Sequence, residues 1–348
     1  MCQISLQLRN LSNVSNIDLR SENEFKKGSI PQSVNIPILN NDQFKKVGIE
    51  YKKNGSDAAI ALGHSLVKGS LKEELIYHWI EHLKKNPGCL LYCFRGGMRS
   101  EIAVKWLNEC GVKVNRLKGG YKNFRNWVIS QHLDIENYIK DWIIIGGLTG
   151  SGKTDFLGFF KQSIDLERIA NHRGSAFGVR DGGQPSQSNF ENILTLNYLN
   201  HKYEKLILED ESRTIGRAGL PGFWYQKMQS SKLVILEVDD DKRAENIYNE
   251  YVYDEINNGV SEDTLLEKYL GSLKNIKRRL GNAVYDNIID LMNSAFHQNE
   301  KEIHKKWILT LLISYYDKMY NYKLDMRKDF IVHKGEIESC RDYINTMF

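Results

Sequence analysis

A lone thiol set among glycines and arginines is the first feature of this sequence that could do chemistry. Cys93 opens the run CFRGGMRS at 93–100. It follows residues 89–92, an apolar stretch that reads as a short buried strand, and it precedes 101–109, whose apolar spacing is that of a helix. A thiol on a strand-to-helix loop lies where unpaired backbone N–H groups and the helix dipole favour an anion. Free cysteine has a pKa of roughly 8.5, and a drop of about two units makes thiolate the majority form at neutral pH. Arg95 and Arg99, together with the loop amides, are the expected source of such a shift and the expected holders of an anionic substrate.

A second loop binds phosphate by type. GLTGSGKT at 147–154 satisfies G-x4-G-K-[ST] in full, between an apolar strand at 142–146 and a helix expected over 155–162. Gly147, Gly150 and Gly152 let backbone N–H groups, that of Ser151 included, approach phosphate oxygens. Lys153 adds a point charge, and Thr154 can ligate a phosphate-bound Mg²⁺. A later strand at 205–208 runs into EDESR at 209–213, so Asp210 or Glu211 would orient that metal, with Thr154 and Asp210 as the expected ligand pair. His172 and Arg173, in the glycine-rich polar stretch 165–178, are candidate phosphate or substrate contacts. The acids at 239–241 read as a helix cap in a solvated turn.

These loops need two frameworks. The chain of 348 residues is long enough for two domains, with 41% hydrophobic and 26% charged residues. The expected class is α/β throughout: a domain over 1–132, a polar connector over 133–141, and a parallel-sheet domain over 142–348 with a helical C-terminal region. Helices are expected over 263–280, 284–297 and 301–318. Residues 40–69 form a polar, glycine-punctuated insertion to which periodicity assigns no role. Lys274, Lys277, Arg278 and Arg279 put four cations within two turns, which reads as a solvated face, with an RNA-backbone contact as the alternative. Tyr315, Tyr316, Tyr320 and Tyr322 could stack on bases, but packing is the preferred reading. The net charge of +4 decides nothing about partners. Five cysteines without a CxxC pair, no signal-peptide pattern and no run of membrane-span length point to the cytoplasm, free thiols and no membrane.

Residues 17–38, the Cys93 loop and LKGGYKNFRNW at 117–127 together resemble the rhodanese domain, in which one cysteine at the base of a cradle-shaped loop carries a transferable chalcogen. The Cys93-to-Arg99 spacing also fits the Cys-x5-Arg loop of thiol phosphatases, which share that fold in some cases. Tyr92 stands where those enzymes usually have His. With GSDAAIALGH at 55–64, ANHRGSAFG at 170–178, EDESRTIG at 209–216 and YYDKMYNYKL at 315–324 added, the whole chain resembles the tRNA 2-selenouridine synthases. Arg168 is the one departure, where the resemblance has Gly.

That resemblance implies a transferase acting on tRNA with 2-thiouridine at the wobble position. Geranyl diphosphate would alkylate the sulfur, and selenium from selenophosphate would then displace the S-geranyl group, with Cys93 carrying selenium as a selenosulfide. The phosphate loop would take the diphosphate, with Mg²⁺ between Thr154 and Asp210 or Glu211. A ten-carbon chain requires an apolar pocket, which the sequence does not locate. A nucleotide-dependent sulfurtransferase and a rhodanese-like phosphatase are the alternatives.

Overall fold

The computed structural model describes residues 8–134 and 141–347, and most of the expected connector, 135–140, lies outside them. The described residues fall into two compact units. One carries those through 134 together with Pro185–Asn200; the other carries those from 141 to Gln184 and from His201 onward. No helix among them is long and apolar enough to cross a membrane.

The first unit is built on a parallel sheet in the order β2-β1-β3-β4, with β1 at Ile17–Asp18, β2 at Val34–Asn35, β3 at Leu90–Tyr92 and β4 at Asn115–Arg116. The ladders are only two or three residues long, so packing holds them. Ile17, Leu19 and Leu91 are fully buried against Trp79, which stacks on Trp106 at 6.2 Å. The helices are α1 (Glu22–Lys27), α2 (Asn41–Leu66), α3 (Ser70–Lys85), α4 (Met98–Glu109) and α5 (Gly120–Asp134). The insertion at 40–69 is therefore mostly helix. Asn40 caps it through the Gln43 N–H, and Gly55, at φ +83°, breaks it into two limbs. The helix Gln187–Asn200 packs on α5, with Leu196 in the same cluster as Tyr92, Tyr121 and Phe124.

The second unit has a parallel sheet in the order β8-β7-β5-β6. Its elements are β5 (Asp141–Gly147), α6 (Lys153–Leu157), α7 (Leu166–Ala170), β6 (Lys205–Glu209), α8 (Gly222–Gln229), β7 (Lys232–Leu236) and α9 (Asp240–Tyr248). Then come α10 (Glu262–Leu280), α11 (Asn282–Gln298), α12 (Lys301–Leu311), α13 (Asp317–Asp325), β8 (Ile331–Gly335) and α14 (Ile337–Asn345). The helix expected over 155–162 is only one turn and a half, and Arg168 sits inside α7, exposed, with its N–H donated to the Asp165 cap at 2.7 Å. A side chain is accommodated there without strain. The C-terminal region is not wholly helical: β8 returns to the sheet beside β7, half-buried and exposed residues alternating as on an edge strand. Lys274, Lys277, Arg278 and Arg279 of α10 are exposed, the last three in its last turn, where they complement the helix dipole.

Candidate active sites: a cradled thiol and a phosphate loop

Cys93 is 4% exposed, at the end of β3. Its carbonyl accepts the Tyr121 N–H at 3.0 Å, and the Phe94 carbonyl accepts the Lys122 N–H at 2.8 Å, so the start of α5 clamps the loop. The fit is tight enough to require glycine. A Cβ on Gly120 would stand 2.2 Å from the Cys93 carbonyl oxygen, and one on Gly96 would stand 2.7 Å from that of Leu117. Cys93 Sγ faces Ser100 Oγ at 3.4 Å and the Gly97 carbonyl at 3.8 Å, both at the start of α4.

The two arginines part company. Arg99 is held by Glu24, donating to it from Nη1 at 2.7 Å and from Nη2 at 3.0 Å, with its guanidinium 4.9 Å from the Phe44 ring. Burial acts to raise the Glu24 carboxyl, but the Arg99 hydrogen bonds and charge hold it below the usual range. Arg95 is exposed and makes no ion pair among the described residues. Beneath the cradle, buried Arg20 binds Asp18 at 2.6 Å and the Gly28 carbonyl at 2.6 Å, and lies 4.0 Å from the Tyr121 ring. The other buried thiols, Cys89 and Cys340, are pushed up to about 11 by burial, which leaves them protonated and inert.

In the second unit, Gly150 (φ +85°) and Gly152 (φ +74°) give the phosphate loop its left-handed turns. A Cβ on Gly150 would stand 2.7 Å from the Arg243 carbonyl. Arg243, fully buried, holds the Thr149 carbonyl at 3.0 Å while its Nη2 pairs with Asp317 at 2.5 Å, and Asn246 donates to the Gly150 carbonyl at 2.9 Å. Tyr320 Oη accepts the Gly147 N–H at 2.6 Å. Lys153 Nζ lies back on the Gly147 carbonyl at 2.9 Å, and Ser151 Oγ is buried without a partner.

Asp210 Oδ1 accepts from Arg327 at 2.5 Å. Thr154 Oγ1 donates to Glu167 at 3.2 Å, and Glu211 stands beside Glu167. A Cβ on Gly174 would lie 2.8 Å from Glu167 Oε1 and 2.9 Å from Glu211 Oε1, so the two carboxyls close on one spot. Burial and the neighbouring Glu167 push the Glu211 carboxyl up to about 8, against the pull of Lys153. Burial raises Glu167 as well. Two carboxyls and a hydroxyl fit Mg²⁺, which binds through one or two carboxylates plus phosphate and water. Among the described residues no cluster of three or more His, Cys, Asp or Glu has metal-site geometry, so substrate oxygens would complete the shell. Buried Glu209 supports the arrangement from below, its Oε1 accepting the Leu166 and Glu167 N–H groups at 2.7 and 2.9 Å.

His172 is buried with Nδ1 unpartnered, and burial followed by the charges of Arg180 and Arg173 keeps it neutral. Arg173 pairs with Glu250 at 2.8 Å and Glu255 at 2.7 Å, over the Tyr251 ring, while its buried Nη1 has no partner among the described residues. Arg180, half-buried and bound to Glu250 only at 3.5 Å, is the cation that the sequence reading passed over. Glu167 and Arg243 were passed over too, and Tyr320 was named only for stacking or packing. Only the conspicuous YYDKMY run hinted at Tyr320, and there packing prevails over stacking. Tyr315 is buried, Tyr316 accepts the Ala176 N–H, and Tyr322 alone of the four is largely exposed.

The two sites define a class: a rhodanese-type thiol domain in one chain with a phosphate-loop domain. Residues 6–126 match the profile of the rhodanese-like domain, and residues 140–348 match that of the "tRNA 2-selenouridine synthase AAA domain". Proteins called tRNA 2-selenouridine synthase from Shewanella halifaxensis (strain HAW-EB4) and Shewanella sp. (strain ANA-3) are 41% and 42% identical to the chain, each comparison covering 94% of both sequences. That of Shewanella woodyi is 39% identical over 94% of this chain and 93% of its own. The chain belongs to the tRNA 2-selenouridine synthase family.

Proposed function

We propose that this protein selenates the wobble uridine of tRNA in two steps, one for each site. In the first, the sulfur of 2-thiouridine attacks C1 of geranyl diphosphate; the S–C bond forms, the C–O bond breaks and diphosphate leaves. In the second, carbon 2 of the base gains selenium and loses geranylthiolate, which takes a proton. Selenophosphate supplies the selenium: water attacks its phosphorus, the P–Se bond breaks, phosphate leaves, and the selenium stays at the selenide level at which it bonds to carbon 2. Alkylation converts the sulfur from a poor leaving group into a good one, which is the chemical reason for the first step.

The loop amides at 147–154 and Lys153, once it swings off the Gly147 carbonyl, are placed for the diphosphate. Thr154, Glu167 and Glu211 would hold Mg²⁺, which when bound offsets charge on the departing diphosphate. In the first unit Arg95 is available for selenophosphate, while Cys93 serves the selenium step.

The observation that carries chalcogen transfer over phosphate cleavage is the orientation of Arg99. A phosphatase needs that arginine over the thiol; here both its terminal nitrogens are committed to Glu24. The test is nucleoside mass analysis of thiolated tRNA given geranyl diphosphate and then selenophosphate. S-geranyl-2-thiouridine followed by 2-selenouridine is expected. Phosphate release from a phosphoester with no change in the tRNA would favour the phosphatase.

A further inference from the structure

The kinked helix α2 leaves a cavity of about 290 Å³ against the α4 end of the thiol loop. Its wall is almost wholly apolar: Val47 and Gly48 from the first limb, Ile60 from the second, and Met98, Ile102 and Trp106 from α4. Residues 44, 47, 48 and 51 recur with helical spacing on one limb, and 56, 59, 60 and 63 on the other. Gly55 is thus the break that lets both stripes face one space. Phe44 and Met98 are each more than a third exposed. The neighbours of the cavity are those of Cys93: Arg99 lines it, and the next residue, Ser100, places Oγ 3.4 Å from Sγ.

We infer that this cavity holds the geranyl chain of the S-geranyl intermediate while selenium replaces it, an inference that rests on the function proposed above. The space is large enough for several water-sized groups and its wall offers almost no polar atom, so it suits a hydrocarbon chain. A chain seated there brings its sulfur to the mouth formed by the first turn of α4, beside Cys93. The insertion at 40–69 thereby gains a purpose: it supplies the apolar half of a site whose reactive half is the thiol loop.

Gly48 offers the test, because a Cβ there meets nothing within 4 Å and the backbone is ordinary helix. Leucine at that position adds bulk to the cavity and improves helix propensity, so folding is preserved. Pre-formed S-geranyl and S-dimethylallyl tRNAs are treated with selenophosphate and read by nucleoside mass. Gly48→Leu is expected to lose at least tenfold in kcat/KM on the geranyl substrate and to lose markedly less on the dimethylallyl one. Ile60→Phe should repeat the pattern, and S-geranyl-2-thiouridine should bind the wild type at least tenfold more tightly than the S-methyl nucleoside. Unchanged geranyl exchange in both variants would overturn the pocket and leave the function standing. A wild type that exchanges no S-geranyl group would overturn the function and this inference with it.

Discussion

At the scale of single residues, the carboxyls beside the phosphate loop carry a pH signature. Glu211 is pushed up to about 8, so below that pH the Glu167–Glu211 pair retains a proton that a cation must displace. Mg²⁺ affinity, measured by calorimetry in the presence of diphosphate, should therefore rise with pH by up to about tenfold per unit, levelling near pH 8. Glu211→Gln should flatten the profile. The sign reverses at Glu24, whose carboxyl Arg99 lowers: its contribution to stability is full above its unfolded value of roughly 4.3 and is lost as pH falls through the folded value. Glu24→Gln should cost about 1 kcal/mol at pH 7, and by thermal melts across the acid range that cost should shrink as pH falls below about 4. It also releases Arg99, so phosphoester hydrolysis measured on this variant shows whether the pairing with Glu24 is what withholds that arginine from phosphate.

At the scale of elements, both reactive loops depend on glycines that a neighbouring backbone will not let go. Gly120→Ala would drive a Cβ into the Cys93 carbonyl and force a left-handed residue that costs about 1–2 kcal/mol before any clash. Selenium incorporation should fall at least a hundredfold while geranylation continues, as read by nucleoside mass. Local chemistry of this kind was legible in the sequence. CFRGGMRS and GLTGSGKT declare their loops because each glycine answers to a steric demand within a few residues. What lay hidden depends on partners far along the chain. β8 is a short edge strand whose pairing with β7 shows in no periodicity, and Glu167 becomes a site residue only because α7 presents it to Thr154. The pairings of Asp210 with Arg327 and of Arg173 with Glu250 and Glu255 join residues too distant along the chain to read.

At the scale of the whole molecule, the class and the order of the two domains followed from sequence, but their composition did not. The helix Gln187–Asn200 interrupts the phosphate-loop segment and belongs to the thiol unit. Asn192 Nδ2 donates to the Ser29 carbonyl at 2.8 Å, Asn189 accepts the Ser29 N–H at 2.7 Å, and Glu191 pairs with Arg125. Without it these buried groups lose their partners, at about 1–3 kcal/mol each. A fragment ending at 134 should therefore fail to show a cooperative melt by circular dichroism, and supplying residues 185–200 through a linker should restore one. The same division makes separate steps plausible on physical grounds, since each unit has its own core and its own site.

The central claim is that the thiol and the phosphate loop perform different steps. The most direct measurement is nucleoside mass analysis of thiolated tRNA after exposure to geranyl diphosphate and then selenophosphate, for Cys93→Ser and Lys153→Ala. Cys93→Ser should accumulate S-geranyl-2-thiouridine and form no 2-selenouridine. Lys153→Ala should slow geranylation at least tenfold yet still selenate tRNA supplied already geranylated. Full selenation by Cys93→Ser, or equal loss of both steps in each variant, would contradict the account.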